Sequence, residues 1–393
     1  MIKKLFACVC LMPLFCLAFA KTHVWGDNLY IDGELRSALL FAKDMPYGFL
    51  DVNHPQQSYI RPTSRLFFGL GWDVNENINL FAQGVYWTIF GTDQWQKGAS
   101  ASELDKLQLL QGYGELKNIL GFFDIKLGRF LVDSEEIFFN ANYATFERLV
   151  YYAFDGAQLT VNAPTTTAVI IYGREAQLSA LSFSRDFYHY GLTTDTKFNE
   201  NTGFNGYFYN THEDGGGDEG IYGIKPYIDF ETYALSLKYL RSYAPGFTTW
   251  DTNGQLVRFD AHKLFSPASA ELKARIMFMS QDGGPTYWGV DMIKSLIVDQ
   301  MYDQIAFHDT NLYNLGLDIS PAAMSATTFA FDAYYYQGGS SSTPDKGLEF
   351  NLQIKRAVNK FLDVGVSGAY LFANRDFQPH DAMKLVTWFV VKF

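Results

Sequence analysis

From Met383 to Phe393 the chain reads MKLVTWFVVKF, with Leu385, Phe389, Val391 and Phe393 on one parity and Lys384 and Lys392 on the other. Successive side chains of an extended strand point to opposite faces, so this segment predicts a strand with one apolar and one hydrated face. The same period recurs upstream. Leu272, Ala274, Ile276 and Phe278 alternate with Glu271, Lys273 and Arg275. Leu348, Phe350, Leu352 and Ile354 alternate with Glu349, Asn351, Gln353 and Lys355, and Val257, Phe259 and Ala261 with Arg258, Asp260 and His262. Three adjacent charges on one strand face need water or each other, and a sealed core would charge them a heavy desolvation cost. A soluble sandwich turns its polar face outward. Here the expected arrangement is the reverse, an apolar exterior around a hydrated interior.

Segments of about ten residues with this period, divided by turn signals, give about eighteen strands and no second domain or linker. Tight connections fall near Asn75–Asn77, Lys117–Leu120, Pro164–Thr166, Asn199–Asn201, Ser266–Ser269, Ser320–Ala323 and Val358–Lys360. Longer ones fall near 44–58, 92–104, 133–151, 176–186, 212–220, 244–254, 280–308, 338–346 and 374–382. Short and long connections that alternate predict an all-β fold: a single closed antiparallel transmembrane β-barrel with periplasmic turns and extracellular loops. An even strand number leaves both chain ends on the periplasmic side. The 280–308 loop is unusual, because Met292, Leu296 and Ile297 are interspersed with Asp291, Lys294 and Asp299. Two readings stand for it, a lid or segment folded into the pore and a loop packed on the barrel rim.

The amino-terminal end fits export. Lys3 and Lys4 precede an apolar stretch from Leu5 to Leu17 that finishes in Ala18-Phe19-Ala20, so residues 1–20 read as a cleaved signal peptide and 21–393 as the barrel. Cys8, Cys10 and Cys16 all lie in that leader, which leaves the rest of the chain without a thiol for disulfides, metal ligation or nucleophilic catalysis. Beyond it no apolar run reaches the roughly 18 residues of a membrane-spanning helix. The 35 Phe, 25 Tyr and 7 Trp suit two aromatic girdles at the membrane interfaces. The expected location is the bacterial outer membrane, in contact with lipid and lipopolysaccharide. A strand closing on an aromatic residue, Phe393, resembles the signal read by the barrel-assembly machinery. The formal charge is −11, or −13 without Lys3 and Lys4, which argues against nucleic-acid binding.

Strand parity turns Arg36, Arg65, Lys126, Lys238, Arg258, Lys273, Arg275 and Lys355 toward the lumen. Cations on opposing walls can pass a carboxylated or phosphorylated solute from one to the next, as rings of basic side chains do in anion pores. Glu34, Asp124, Asp229, Asp260, Glu271, Asp332 and Glu349 share the parity, so cross-strand pairing is the competing role for each cation.

Between Ile125 and Val161 the chain carries Gly128-Arg129 at the end of one strand, Arg148 in the following loop and Phe154-Asp155-Gly156 opening the next strand. In that order these resemble the alginate-export porin family. The similarity extends to Gly33–Arg36, to Asn311–Gly316 and to Gly347–Leu352, while Phe130 stands where that family usually has Gln. The resemblance implies an eighteen-stranded outer-membrane pore with a basic lumen for an anionic polysaccharide, and it assigns Arg129, Arg148 and Asp155 to the solute path, Asp155 orienting a neighbouring Arg. For Arg129 the two lines conflict: alternation from Phe123, Ile125 and Leu127 turns it outward unless a bulge intervenes.

The seven histidines have no H-E-x-x-H spacing and no G-x-S-x-G occurs, so the chain reads as a non-enzyme without cofactor or metal site. His262 and Asp260 share a strand face, the one hint of a hydrolase. Asp214, Asp218 and Glu219 read as an acidic loop tip or as a divalent bridge to lipopolysaccharide. The expected function is passive diffusion of a hydrophilic, anionic solute, with an occluded structural or adhesive barrel and a barrel hydrolase as the rival classes.

Overall fold

The computed structural model of the chain describes residues 22–25, 28–48, 51–89, 107–132, 153–176, 187–213, 218–243, 254–265, 269–279, 297, 310–339, 345–377 and 380–393. The expected signal peptide 1–20, the expected loop stretches 92–104 and 133–151, and Arg148 lie outside them. In chain order the strands are β1 (Thr22–Trp25), β2 (Leu29–Gly48), β3 (Asp51–Asn75), β4 (Ile78–Ile89), β5 (Leu107–Ile119), β6 (Phe123–Leu131), β7 (Ala153–Asn162), β8 (Thr166–Ala176) and β9 (Phe187–Lys197). They continue as β10 (Thr202–Glu213), β11 (Asp218–Phe230), β12 (Tyr233–Tyr243), β13 (Gln255–Phe265), β14 (Ala270–Met279), β15 (Thr310–Ile319), β16 (Thr327–Gly338), β17 (Gly347–Asn359), β18 (Leu362–Ala373) and β19 (Ala382–Lys392).

Strands β2 to β19 each pair antiparallel with their sequence neighbours, and β19 pairs back onto β2, with Met383 opposite Lys43 and Lys392 opposite Glu34. Eighteen strands thus close a barrel, and closure leaves no ladder of unpaired backbone groups facing lipid. The four-residue β1, which the sequence reading did not anticipate, adds its backbone to the lower end of β2. At the seam, Gly33 and Phe393 exchange backbone bonds of 2.5 and 2.8 Å. The terminal ring lies over Gly33, where any side chain would collide with it.

Asparagine makes several of the short turns. The side chains of Asn75, Asn199 and Asn359 accept bonds of 2.8–2.9 Å from the backbone N–H groups of Asn77, Asn201 and Phe361, replacing backbone partners that a turn removes. Asn118, Leu120 and Gly121 take positive φ at the β5–β6 turn, which therefore runs over residues 120–122, slightly beyond the expected Lys117–Leu120. An eighth short turn, Glu231-Thr232, joins β11 to β12. It lacks Gly, Pro and Asn and so carries none of the usual composition signal. Two expected loops are corrected. The 44–58 stretch is mostly strand, with β2 running to Gly48 and β3 beginning at Asp51, and the 212–220 loop shrinks to the residues between Glu213 and Asp218.

The expected inversion of faces is plain on β3. Leu66, Phe68, Leu70 and Trp72 are 39–49% exposed, whereas Thr63, Arg65 and Phe67, on the other parity, are at most 8% exposed. An aromatic border follows each edge of this apolar band. Near the short turns stand Trp72, Phe122, Phe198, Phe265 and the ring pair Phe230–Tyr233, centroids 4.7 Å apart. Near the loops, Phe278, Tyr313 and Tyr335 form a contiguous set, and the hydroxyls of Tyr335 and Tyr370 donate to Asp345 and Asp381, each at 3.1 Å. Rings in lipid with hydroxyls reaching polar loops are what interfacial girdles require. Among the described residues no helix is long and apolar enough to cross a membrane.

Inside, the wall is stratified, which the expectation of a uniformly hydrated lumen missed. Toward the extracellular end, inward side chains including Phe130, Ile221, Leu256, Met277, Leu312 and Leu371 are buried in one apolar cluster. Toward the short turns the inward side chains include Arg258, Asp260, Arg275, Lys355, Asp363 and Lys392.

Candidate functional site

The charged layer is built by strand register. Arg258 and Asp260 are alternate inward residues of β13, and Asp260 lies directly across from Arg275 on β14. Its two carboxylate oxygens accept from Arg258 Nε at 2.6 Å and Arg275 Nε at 2.5 Å, so one acid holds two guanidinium groups. A second cluster repeats the motif. Asp363, at the foot of β18, lies 3.0 Å from Lys392 Nζ and 3.7 Å from Lys355 Nζ, and both ammonium groups are about half exposed. The direct pairs are charge-assisted, and the half-exposed Lys355 and Lys392 side chains keep charge at the inner surface.

Other predicted cations are balanced by acids. Arg36 Nε donates to Glu34, and its guanidinium stands 5.5 Å from the Phe67 ring centroid. Lys126 Nζ lies 3.8 Å from Glu115 and 4.7 Å from the Tyr113 centroid. Lys273 Nζ donates to Asp318 at 2.7 Å, beside Asp332, which accepts from Asn314. Arg65, opposite Arg36 in the β2–β3 register, and Lys238, whose ammonium lies 5.2 Å from the Tyr207 centroid, are each only 2% exposed, so they are packed into the wall and do not line free space. His262 Nδ1 is 2.7 Å from Glu271, while Asp260 is occupied by its two arginines, and the His262–Asp260 dyad does not form.

The structure also holds functional candidates that sequence reasoning passed over. Lys346 is buried, donates to Thr310 Oγ1 at 2.7 Å and faces the Phe377 ring. It precedes its strand, so no alternation marked it. Lys392 was noted only as polar, and its role appears when Asp363 is brought beside it by the β18–β19 register.

In the 280–308 loop the one described residue is Ile297, which is fully buried in the apolar cluster. Its backbone N–H donates to Glu349 Oε1 at 3.0 Å, and the hydroxyl of Tyr336 lies 3.5 Å from the other oxygen. Ile297 therefore sits inside the barrel. Glu349→Ala removes the acceptor of a buried N–H, and the expected outcome is a loss of about 1–3 kcal/mol in unfolding free energy. Denaturant unfolding of the refolded protein measures it, and an unchanged stability contradicts the bond between Ile297 and Glu349.

No family model matches the sequence, and no curated protein sequence matches it. Solved structures do. The chain superposes on the crystal structure of Pseudomonas aeruginosa OpdO with a TM-score of 0.67 at 13% identity, covering 93% of this chain and 97% of that one. For P. aeruginosa OprD the TM-score is 0.63 at 12% identity, covering 96% and 99%, and for P. aeruginosa OccK11 (OpdR) it is 0.63 at 14% identity, covering 92% and 96%. The fold is that of the porin barrels. With its closed wall and outward apolar band, the protein is an outer-membrane barrel.

Arg129 and Asp155, which the motif resemblance assigns to the solute path, do not face the lumen. The β6–β7 register runs from Phe123 to Leu131 without a shift, placing Arg129 opposite Asp155. Phe130 and Phe154 are buried inside, and Leu127 is 53% exposed outside, so Arg129 and Asp155 stand on the outer face. No bulge intervenes in that pair of strands. Arg129 Nε and Nη2 each donate to Asp155 at 2.7 Å, and Nη1 donates to the carbonyl of Leu109 at 3.2 Å. Replacing Arg129 by Ala is expected to leave ion permeability as in the wild type, and a changed anion/cation ratio would return it to the lumen.

Proposed function

We propose that this protein is a porin-type channel through which hydrophilic anions diffuse passively across the outer membrane. The observation that carries the reading is the pair of lumenal clusters, Arg258–Asp260–Arg275 and Lys355–Asp363–Lys392, in each of which a single carboxylate serves two cations. The two bases and one acid named in each cluster sum to one positive charge, although the chain as a whole is acidic. A focused local field of that kind raises the concentration of negative solutes in a narrow aqueous passage. Contacts to partly exposed side chains are weak, and weak repeated contacts favour passage over capture.

The charge pattern favours negative charge and does not single out one solute. A uronate oligosaccharide remains within it, but the alginate-export likeness supports that narrower choice less now that Arg129 and Asp155 belong to the exterior. The test is uptake into proteoliposomes of a sugar acid and a neutral sugar of equal size. Faster entry of the acid is expected. Equal or slower entry defeats the anion reading.

A second reading, a barrel with a closed lumen and a structural or adhesive role, is supported by the apolar extracellular layer and by Ile297 within it. Under that reading neither sugar enters. A hydrolase has no support from the arrangement around His262, and ester or lipid turnover lost on substituting His262 is the result that would revive it.

A further inference from the structure

Away from the arginine cluster, the inner wall near the short turns carries rings. Tyr30 on β2, Phe81 on β4 and Tyr113 on β5 stand at one level, with Gly71 on β3 between the first two and Gly128 on β6 beyond the third. The glycines give the rings room to lie down. A Cβ at Gly71 would strike the Tyr30 ring, and one at Gly69 would stand 3.0 Å from the Phe81 ring. A ring that reaches over the next strand lies along the wall and turns a face to the lumen. Phe81 and Tyr113 are directly opposed in the β4–β5 register and half-buried, their centroids 5.6 Å apart and their planes at 42°. Lys126 Nζ covers Tyr113 at 4.7 Å from its centroid, which leaves Phe81 as the open ring of the pair.

Planar polar groups border this row on both sides. On the loop side Gln83 and Gln111 oppose each other across the same two strands, Gln111 Nε2 donating to Gln83 Oε1 at 2.9 Å. On the turn side the register line runs through Asp73, Asn79, Glu115 and Lys126. Asn79 Nδ2 donates to Asp73 at 2.7 Å, and Lys126 Nζ lies 3.8 Å from Glu115. Phe81 belongs to none of the buried apolar clusters, so core packing does not account for it. A half-buried phenyl ring among amides and carboxylates gains only part of the stabilisation of full burial. An open aromatic face edged by planar donors and acceptors matches a pyranose. The sugar's C–H face packs on the negative face of the ring, and its equatorial hydroxyls meet the amides and carboxylates at the edge.

Strands β4 and β13 are nine apart in a closed ring of eighteen, as are β5 and β14, so these rings stand across the lumen from Arg258, Asp260 and Arg275. We infer that this wall is a binding station for a pyranose ring. Phe81 lies under its C–H face, Gln83 and Glu115 take its hydroxyls, and a carboxylate substituent meets the basic wall opposite. The inference rests on the channel reading for access of the solute, and it narrows the solute class from hydrophilic anions to cyclic sugar acids. Weak stacking of this kind holds a ring without trapping it.

The experiment titrates the folded protein, in micelles of the sugar-free detergent lauryldimethylamine oxide, with methyl β-glucopyranoside and with sorbitol, an open-chain polyol of similar size. Saturation transfer from protein to ligand protons reads binding. The wild type is expected to bind the pyranoside more tightly than sorbitol, with transfer strongest at the ring C–H protons. Phe81→Leu keeps an apolar side chain without a flat face, and it should bind the pyranoside about three- to tenfold more weakly. Phe81→Trp should bind at least as tightly as the wild type, with an indole emission that changes on addition of the pyranoside and not of sorbitol. Equal binding of the two ligands by the wild type, or equal binding of the pyranoside by Phe81→Leu and the wild type, overturns the site. If Phe81→Leu fails to fold, an unchanged Phe81→Trp emission overturns it. Both ligands are neutral, so their failure to bind leaves the anion preference standing, and Phe81→Leu should keep the wild-type reversal potential. Pyranoside binding by a protein without anion preference overturns the anion reading and not this site.

Discussion

Deletion of Ala382–Phe393 abolishes the folded barrel. The strand it removes is bonded along its whole length on both sides, to β18 and to β2, and its loss leaves two open edges facing lipid. In hydrocarbon each unpaired backbone group costs several kcal/mol, so roughly ten residues of open ladder on each edge exceed the 5–15 kcal/mol that holds a typical domain together. The measurement is the heat-modifiable folded band on electrophoresis, expected to vanish. A milder version probes the seam itself. Gly33→Leu drives a side chain into the Phe393 ring and should cost about 1–3 kcal/mol. Adding Phe393→Ala should recover part of that loss, because the collision is between those two residues, and strict additivity would show that they do not touch.

The second large effect is on selectivity. Converting Arg258 and Arg275 to Gln removes two positive charges beside Asp260, so the sum over these three residues changes from +1 to −1. Two unit charges about 8 Å from a permeating ion in water alter its energy by about 1 kcal/mol, or roughly fivefold in permeability. Chloride permeability relative to potassium should fall by at least that factor at low salt, and less at high salt, where screening shortens the range. Asp260→Asn should move the ratio the opposite way. Loss of anion preference in both variants would mean that the cluster acts through wall structure and not through its field.

Much of this barrel was legible in the chain because a two-residue period assigns a face to every residue once one face is known. Leu272, Ile276 and Phe278 emerge on the outer surface as their alternation with Glu271, Lys273 and Arg275 implies. Even the outward setting of Arg129 was available from Phe123, Ile125 and Leu127, and only the motif resemblance pointed the other way. What the period could not supply was partnership across strands. That Asp260 would serve two arginines, or Asp363 two lysines, depends on the β13–β14, β17–β18 and β18–β19 registers, which assigning a face to each residue leaves open. The apolar extracellular layer had a weaker signal, since Leu256-Val257, Met277-Phe278, Leu312-Tyr313 and Leu371-Phe372 are apolar on both faces. A strand end with two apolar faces has lipid on one side and a packed interior on the other.

The most direct test of a water-filled, cation-edged lumen is the reversal potential of the purified protein in a planar bilayer separating unequal concentrations of potassium chloride. A conducting channel whose zero-current potential lies on the chloride side is the predicted result. A potential on the potassium side, or a folded protein that passes no current, contradicts it.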